Sequence, residues 1–190
     1  MRKRSKPTFL MVFFGIAIII AVAAGWFLAR RSVDLPRTGF AVAGYEGPAM
    51  QKRQVHLYFG DSSGRYLTAE QRVVEEPADV VSAARGLVEA LIQGPLHGGT
   101  RTLPQDSSLR SLFVTPEGVA YVDFKADAFE HHPGGVETEM LTIYSIVNTL
   151  VLNMEEIRWV KLLIGGQEAA TLAGHVDLSH LFNADMLWVR

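Results

Sequence analysis

From Ala120 to Gly135 the chain reads AYVDFKADAFEHHPGG, and ten of these residues hold Asp123, Asp127, Glu130, His131 and His132. Two chemistries use such side chains. A pair of carboxylic acids about 5 to 9.5 Å apart, one kept protonated, hydrolyses a glycosidic bond. Asp123 with Asp127 or Glu130 offers that pair and would make the chain a peptidoglycan-directed hydrolase. Imidazoles and carboxylates that converge from rigid positions bind metal ions, and His131 with His132 would then form a metal or small-ligand sensor.

Spacing argues against the metal site. For the acid pair, which sequence proximity allows, no apolar pocket is evident and neither carboxyl has a reason to stay protonated. Adjacent histidines point opposite ways in an extended segment, and no H-x₃-H pair falls on a helix. Asp127 and Glu130 match no calcium loop. Asp123 follows the apolar residues AYV, where an Asp bonds the backbone N–H groups of the turn it opens. Phe124 and Phe129 then bracket that turn as core residues, and the histidines decorate a solvated loop before a helix. Ser111, Ser145 and Ser179 lack a G-x-S-x-G frame, and Ser145 is expected on the outer side of a helix. Gly98-Gly99 and Gly165-Gly166 have no phosphate-loop frame. His56 and His175 read as surface or hydrogen-bonded residues. The expectation is a non-enzymatic module with no catalytic, cofactor-binding or metal-binding residue.

The elements around this stretch follow from local signals. VHLYF (Val55–Phe59) is a strand closed by a Gly/Asp/Ser turn. Tyr66–Leu67 and Gln71–Glu75 are short extended pieces. Pro77–Gln93 is a helix with Pro in its first turn, ended by Gly94-Pro95. Leu109–Val114 and Val119–Phe124 form a hairpin around Thr115-Pro116-Glu117-Gly118, with Val114 opposite Ala120, Leu112 opposite Val122 and Ser111 opposite Asp123. Val136–Met154 is a helix whose stripe runs Val136, Met140, Ile143, Tyr144, Val147, Leu150, Val151, Met154. Glu137 and Glu139 in its first turn complement the helix dipole. Trp159–Ile164 is the last strand. The order β-β-α-β-β-α-β predicts an α+β fold, a small mixed or antiparallel sheet with two helices on one face.

The N-terminal part is of another kind. Residues 7–29 are 23 uncharged residues, roughly 34 Å as a helix, enough to cross a hydrocarbon core of about 30 Å. Arg2, Lys3, Arg4 and Lys6 precede the run, so the positive-inside rule places residues 1–6 in the cytoplasm and the rest outside. Ala21-Val22-Ala23 also fits a cleavable signal, but the apolar run continues past it to Trp26, an interfacial anchor position. Residues 30–54, with Pro36, Gly39, Gly44, Gly47 and Pro48, read as a linker to a domain over 55–190. Six of the 18 Lys and Arg flank the apolar run, so residues 32–190 carry 12 bases against 20 acids, a net of −8. Such a surface disfavours nucleic acid. No cysteine is present, which leaves no disulfide, no thiolate ligand and no site for a lipid on sulfur.

From Val55 to Phe182 the chain resembles the GerMN domain family of sporulation and spore germination. The resemblance rests on VHLYF, ALIQGP at 90–95, Leu103-Pro104, SLRSLFVTPEGVAYVDF at 108–124, Phe129, TIYSIVNTL at 142–150, VKLLIGG at 160–166 and LAGHVDLS at 172–179. It implies an envelope domain at the outer face of the cytoplasmic membrane, without established catalytic residues. It also implies a fold similar to ring-building αββαβ modules, and partners among envelope proteins, further copies of itself or cell-wall machinery. Many members carry a lipobox cysteine, which residues 7–29 replace here with an apolar anchor.

Overall fold

The computed structural model describes residues 51–190. The expected N-terminal segment 1–6, the anchor 7–29 and most of the linker 30–54 lie outside the described residues. The linker's last four residues open the first strand instead, β1 (Gln51–Gly60). The two extended pieces expected after it are one continuous strand, β2 (Leu67–Glu76), antiparallel to β1 over its whole length. Among the described residues, no helix is long and apolar enough to cross a membrane.

Helix α1 (Val80–Gln93) starts three residues later than Pro77 predicts, because Asp79 caps it by accepting the Ser82 N–H at 2.8 Å. The hairpin of β3 (Leu109–Val114) and β4 (Val119–Phe124) has the expected register at all three named pairs. Gly118 takes φ 84° and closes its turn through N–H to the Thr115 carbonyl at 2.9 Å. The register slips once, between Leu109 and Ser111, leaving Arg110 as a bulge. Helix α2 (Val136–Asn153) then crosses over to β5 (Trp159–Ile164), which runs parallel to β4. A parallel neighbour requires a crossover of this kind.

The fold is α+β, with the five strands divided between a two-stranded sheet, β1-β2, and a three-stranded sheet, β3-β4-β5. Helix α1 packs along β3 and α2 along β5, the two helices touch, and β1 packs on both. Alternation along the hairpin sends Leu112 and Val122 into the core with Leu162 of β5, while Phe113 on the other face is 60% exposed. One cluster joins Val55, Leu57 and Phe59 of β1 to Leu87 and Leu91 of α1, to Ile143, Ile146 and Leu150 of α2, and to Phe124.

Helix α2 departs from its predicted stripe. Val136 is 59% exposed, whereas Glu139, Thr142, Ser145, Asn148 and Thr149 are buried. Ser145, expected on the outer side, accepts the Thr102 hydroxyl at 2.7 Å. The helix is enclosed on more than one side, so its inner arc is wider than its apolar stripe. Thr149 and Asn153 use that arc to cover the second edge of β1. Thr149 Oγ1 accepts the Tyr58 N–H at 3.1 Å. The Asn153 amide accepts from His56 N at 2.9 Å and donates to His56 O at 2.7 Å.

Candidate functional site

Asp123 is the penultimate residue of β4, with its side chain 4% exposed. The bulge at Arg110 brings two consecutive residues of β3 within reach, so Oδ2 accepts from Arg110 Nη1 at 2.5 Å and from Ser111 Oγ at 3.1 Å. Oδ1 accepts the N–H of Gly166 at 2.8 Å. The turn that Asp123 holds is therefore the one after β5, not the one that Asp123 itself opens. Burial pushes its carboxyl up, but the Arg110 guanidinium, the Gly166 N–H and the Ser111 hydroxyl outweigh burial and hold it below the ordinary value. It is a carboxylate with its acceptors occupied.

The rest of the stretch divides. Asp127 and Glu130 are exposed and line a shallow, open depression of about 590 Å³ with Arg110 and Lys125. Phe129 is buried and stacks edge-on against Phe124 at 5.1 Å, as the core role requires. His131 is exposed and pairs through Nδ1 with Asp106 at 2.6 Å. His132, expected in a solvated loop, is half-buried instead. Its Nδ1 accepts the Gly134 N–H at 3.0 Å, so the proton sits on Nε2, which donates to Thr142 Oγ1 at 2.9 Å. Thr142 in turn donates its O–H to the Thr102 carbonyl. Burial lowers the His132 pKa against the opposing pull of Glu139. The two histidines are thus engaged apart, and no three His, Asp or Glu side chains gather as for a metal ion among the described residues.

Two more buried carboxylates repeat the role of Asp123. Glu139 is fully buried in the first turn of α2, where its Oε2 accepts the Val176 N–H at 3.0 Å and its Oε1 pairs with His175 Nδ1 at 2.7 Å. Burial pushes it up, and the donors of the 173–176 loop bring it below its ordinary value. Glu70 of β2 accepts the N–H groups of Leu96 and His97 at 2.8 and 2.9 Å and pairs with Arg72. Arg72 also reaches the Gly94 carbonyl at 3.1 Å, and Arg101 donates to the Ile92 and Gln93 carbonyls, which together close the C-terminus of α1. Lys161 of β5 is buried the same way and donates to the carbonyls of Leu178 and Ser179 at 3.0 and 2.6 Å. Sequence reasoning missed all of these. Glu139 alone left a signal, because 139, 143, 146 and 150 fall on one helical face with core residues.

These features define a compact α+β module whose buried ionic groups pin loops. The chain belongs to the Germane family, described as sporulation and spore germination, which it matches over residues 56–170. Its fold is similar to the first GerMN domain of the sporulation protein GerM from Bacillus subtilis, at TM-score 0.57 and 23% identity over 71% of this chain and 98% of that one. The tandem GerMN domains of the same protein align at TM-score 0.59 and 24% identity over 70% of this chain, which spans only 46% of the tandem. A protein from Clostridium perfringens described as a lipoprotein aligns at TM-score 0.51 and 23% identity over 71% of this chain and 89% of that one. At such identities the likeness is one of fold. No curated protein matches the chain. The family expected from the sequence motifs is the family found.

Proposed function

We propose that this chain is a non-enzymatic assembly module of the bacterial envelope, held at the outer face of the cytoplasmic membrane by residues 7–29. It joins envelope proteins, further copies of itself or the wall machinery to that membrane. The observation that carries the non-catalytic part is the state of Asp123. The best candidate acid of the sequence is buried, ionised and bonded to Arg110, Ser111 and Gly166. A general acid needs a proton to give, and a nucleophile needs an open face. The outward location draws on the charge asymmetry around residues 7–29 and on the likeness to a protein described as a lipoprotein.

Crosslinking in cells tests the assembly role, with adducts to envelope proteins or to a second copy expected. Recovery of monomer alone under mild conditions would overturn it. Incubating the full chain with peptidoglycan tests the absence of catalysis. Turnover that disappears in a folded Asp123→Asn variant would establish a hydrolase instead.

A further inference from the structure

Trp159 opens β5 and stays 40% exposed. A buried aromatic side chain removes some 150 to 250 Å² from water, so a half-open indole has apolar surface to offer a ligand. It lines an open hollow of about 450 Å³ where the end of α2 meets the start of β5. Beside it Val151 is half-buried, and beneath lie Met154 and Ile157 of the core, 2% and 1% exposed.

The rim is polar and only partly used. Glu155 makes no hydrogen bond or ion pair among the described residues and presents a free acceptor. Arg158 spends Nη2 on the Glu117 carbonyl at 2.6 Å and keeps the rest of its fork. Asn183 accepts the Ala184 N–H through Oδ1 at 2.7 Å, which leaves its Nδ2 to donate. An aromatic wall with mixed donors and acceptors around it matches a pyranose, whose C–H face stacks while its hydroxyls bond outward. An apolar segment of a partner would strand Glu155, Arg158 and Asn183 out of water without bonds. One acid and one base on the same rim give no preference for a strongly charged ligand. Half-buried Val151, which lines the same hollow as the indole, offers a contact for a methyl group, as an acetamido substituent supplies.

We infer that the hollow beside Trp159 binds an N-acetylated hexosamine glycan. The inference rests on the assembly reading only for placing the domain where wall glycan lies; the site is argued from its own side chains.

The test titrates the full chain, kept in detergent, with the β-1,4 tetramer of N-acetylglucosamine by calorimetry. Saturable binding is expected, about tenfold stronger than to the corresponding glucose tetramer that lacks acetamido groups. Trp159→Ala should weaken it by about tenfold, as loss of a central aromatic contact does, while Trp159→Tyr keeps most of it. Glu155→Ala, which removes no bond within the fold, should weaken it several-fold. No saturation at millimolar tetramer, equal binding of the two tetramers, or indifference to Trp159→Ala would each overturn the site. Where Trp159→Ala fails to fold, unchanged binding in Glu155→Ala overturns it. Loss of cellular crosslinks in Trp159→Ala without glycan binding would reassign the hollow to a protein partner. Glycan binding with no crosslinks would retain the site and overturn the assembly reading alone.

Discussion

Taking a carboxylate out of water costs several kcal/mol unless hydrogen bonds replace the lost hydration. Asp123 meets that cost with one guanidinium, one hydroxyl and one backbone N–H, the last from a turn 43 residues away in sequence. Asp123→Ala leaves the Gly166 N–H and the Arg110 fork without their partner. It should lower unfolding stability by roughly 1.5 to 3 kcal/mol, as lost bonds to a buried charge do. Urea denaturation checks this, and an unchanged midpoint would show the network to be idle. The pH dependence has two parts with the same sign. Asp123, Glu70 and Glu139 are held below their ordinary values, so their stabilisation is present above about pH 4.5 and is lost as pH falls through the carboxylate range. His132 is also held below its ordinary value, so the unfolded chain takes up the proton first and stability begins to fall below about pH 6.5. Its protonation would add a second N–H at Nδ1, facing the Gly134 N–H it now accepts. His132→Gln should flatten the stability profile just below about pH 6.5 while leaving the steeper acid limb. A slope unchanged in that window would remove His132 as its source.

Helix α2 shows how an element can be right in extent and wrong in orientation. Its ends fall where the periodicity puts them, to one residue at the C-terminus. The hairpin register and the bounds of β5 were equally legible, because turn chemistry and apolar runs are local signals. What a single sequence does not carry is enclosure. A helix covered by β1 on one side and by the 173–176 loop and the C-terminal tail elsewhere buries polar residues that pair across long separations. Ser145 meets Thr102, Asn148 meets Asp185, and Glu139 meets His175 and Val176. Read as a surface helix, those residues look solvated. The bulge at Arg110 was hidden for a similar reason, since its purpose lies on β4. Glu139 gives the sharpest test at this scale. Glu139→Gln turns one of two acceptor oxygens into an NH₂ group that faces backbone donors. Amides of His175 and Val176 should then exchange with deuterium markedly faster, with a stability loss of roughly 1 to 3 kcal/mol. Unaltered protection of those two amides would mean that the loop holds itself.

Across the whole molecule, the match to the family stops at residue 170, yet the cores are completed beyond it. Leu172, Leu178 and Phe182 are buried in the main cluster, and Phe182 bonds the edge of β5 through its backbone to Val160. The last eight residues close a second, smaller cluster of Tyr58, Leu67 and Leu141. Asn148 grips Asp185 twice, at 3.0 and 2.9 Å. Trp188 stacks on Tyr144 at 5.8 Å, and the Arg190 N–H bonds the Leu67 carbonyl at 2.9 Å while its guanidinium covers the Tyr66 ring. The tail thus ties α2 to the start of β2, which nothing in its short run of mixed residues announces. Removing residues 183–190 should therefore uncover Tyr58, Leu67 and Tyr144 and lower stability by roughly 2 kcal/mol or more, the scale of one core side chain returned to water. Asn148→Ala in the full chain should cost less, because it releases the two Asp185 bonds but leaves the Trp188 stack. Denaturant midpoints of the two variants give the comparison, with indole fluorescence reporting on Trp188 in Asn148→Ala, which retains it. A truncated chain as stable as the whole would show the second cluster to be ornament, and equal losses would place the tail's hold in Asn148 rather than in the stack.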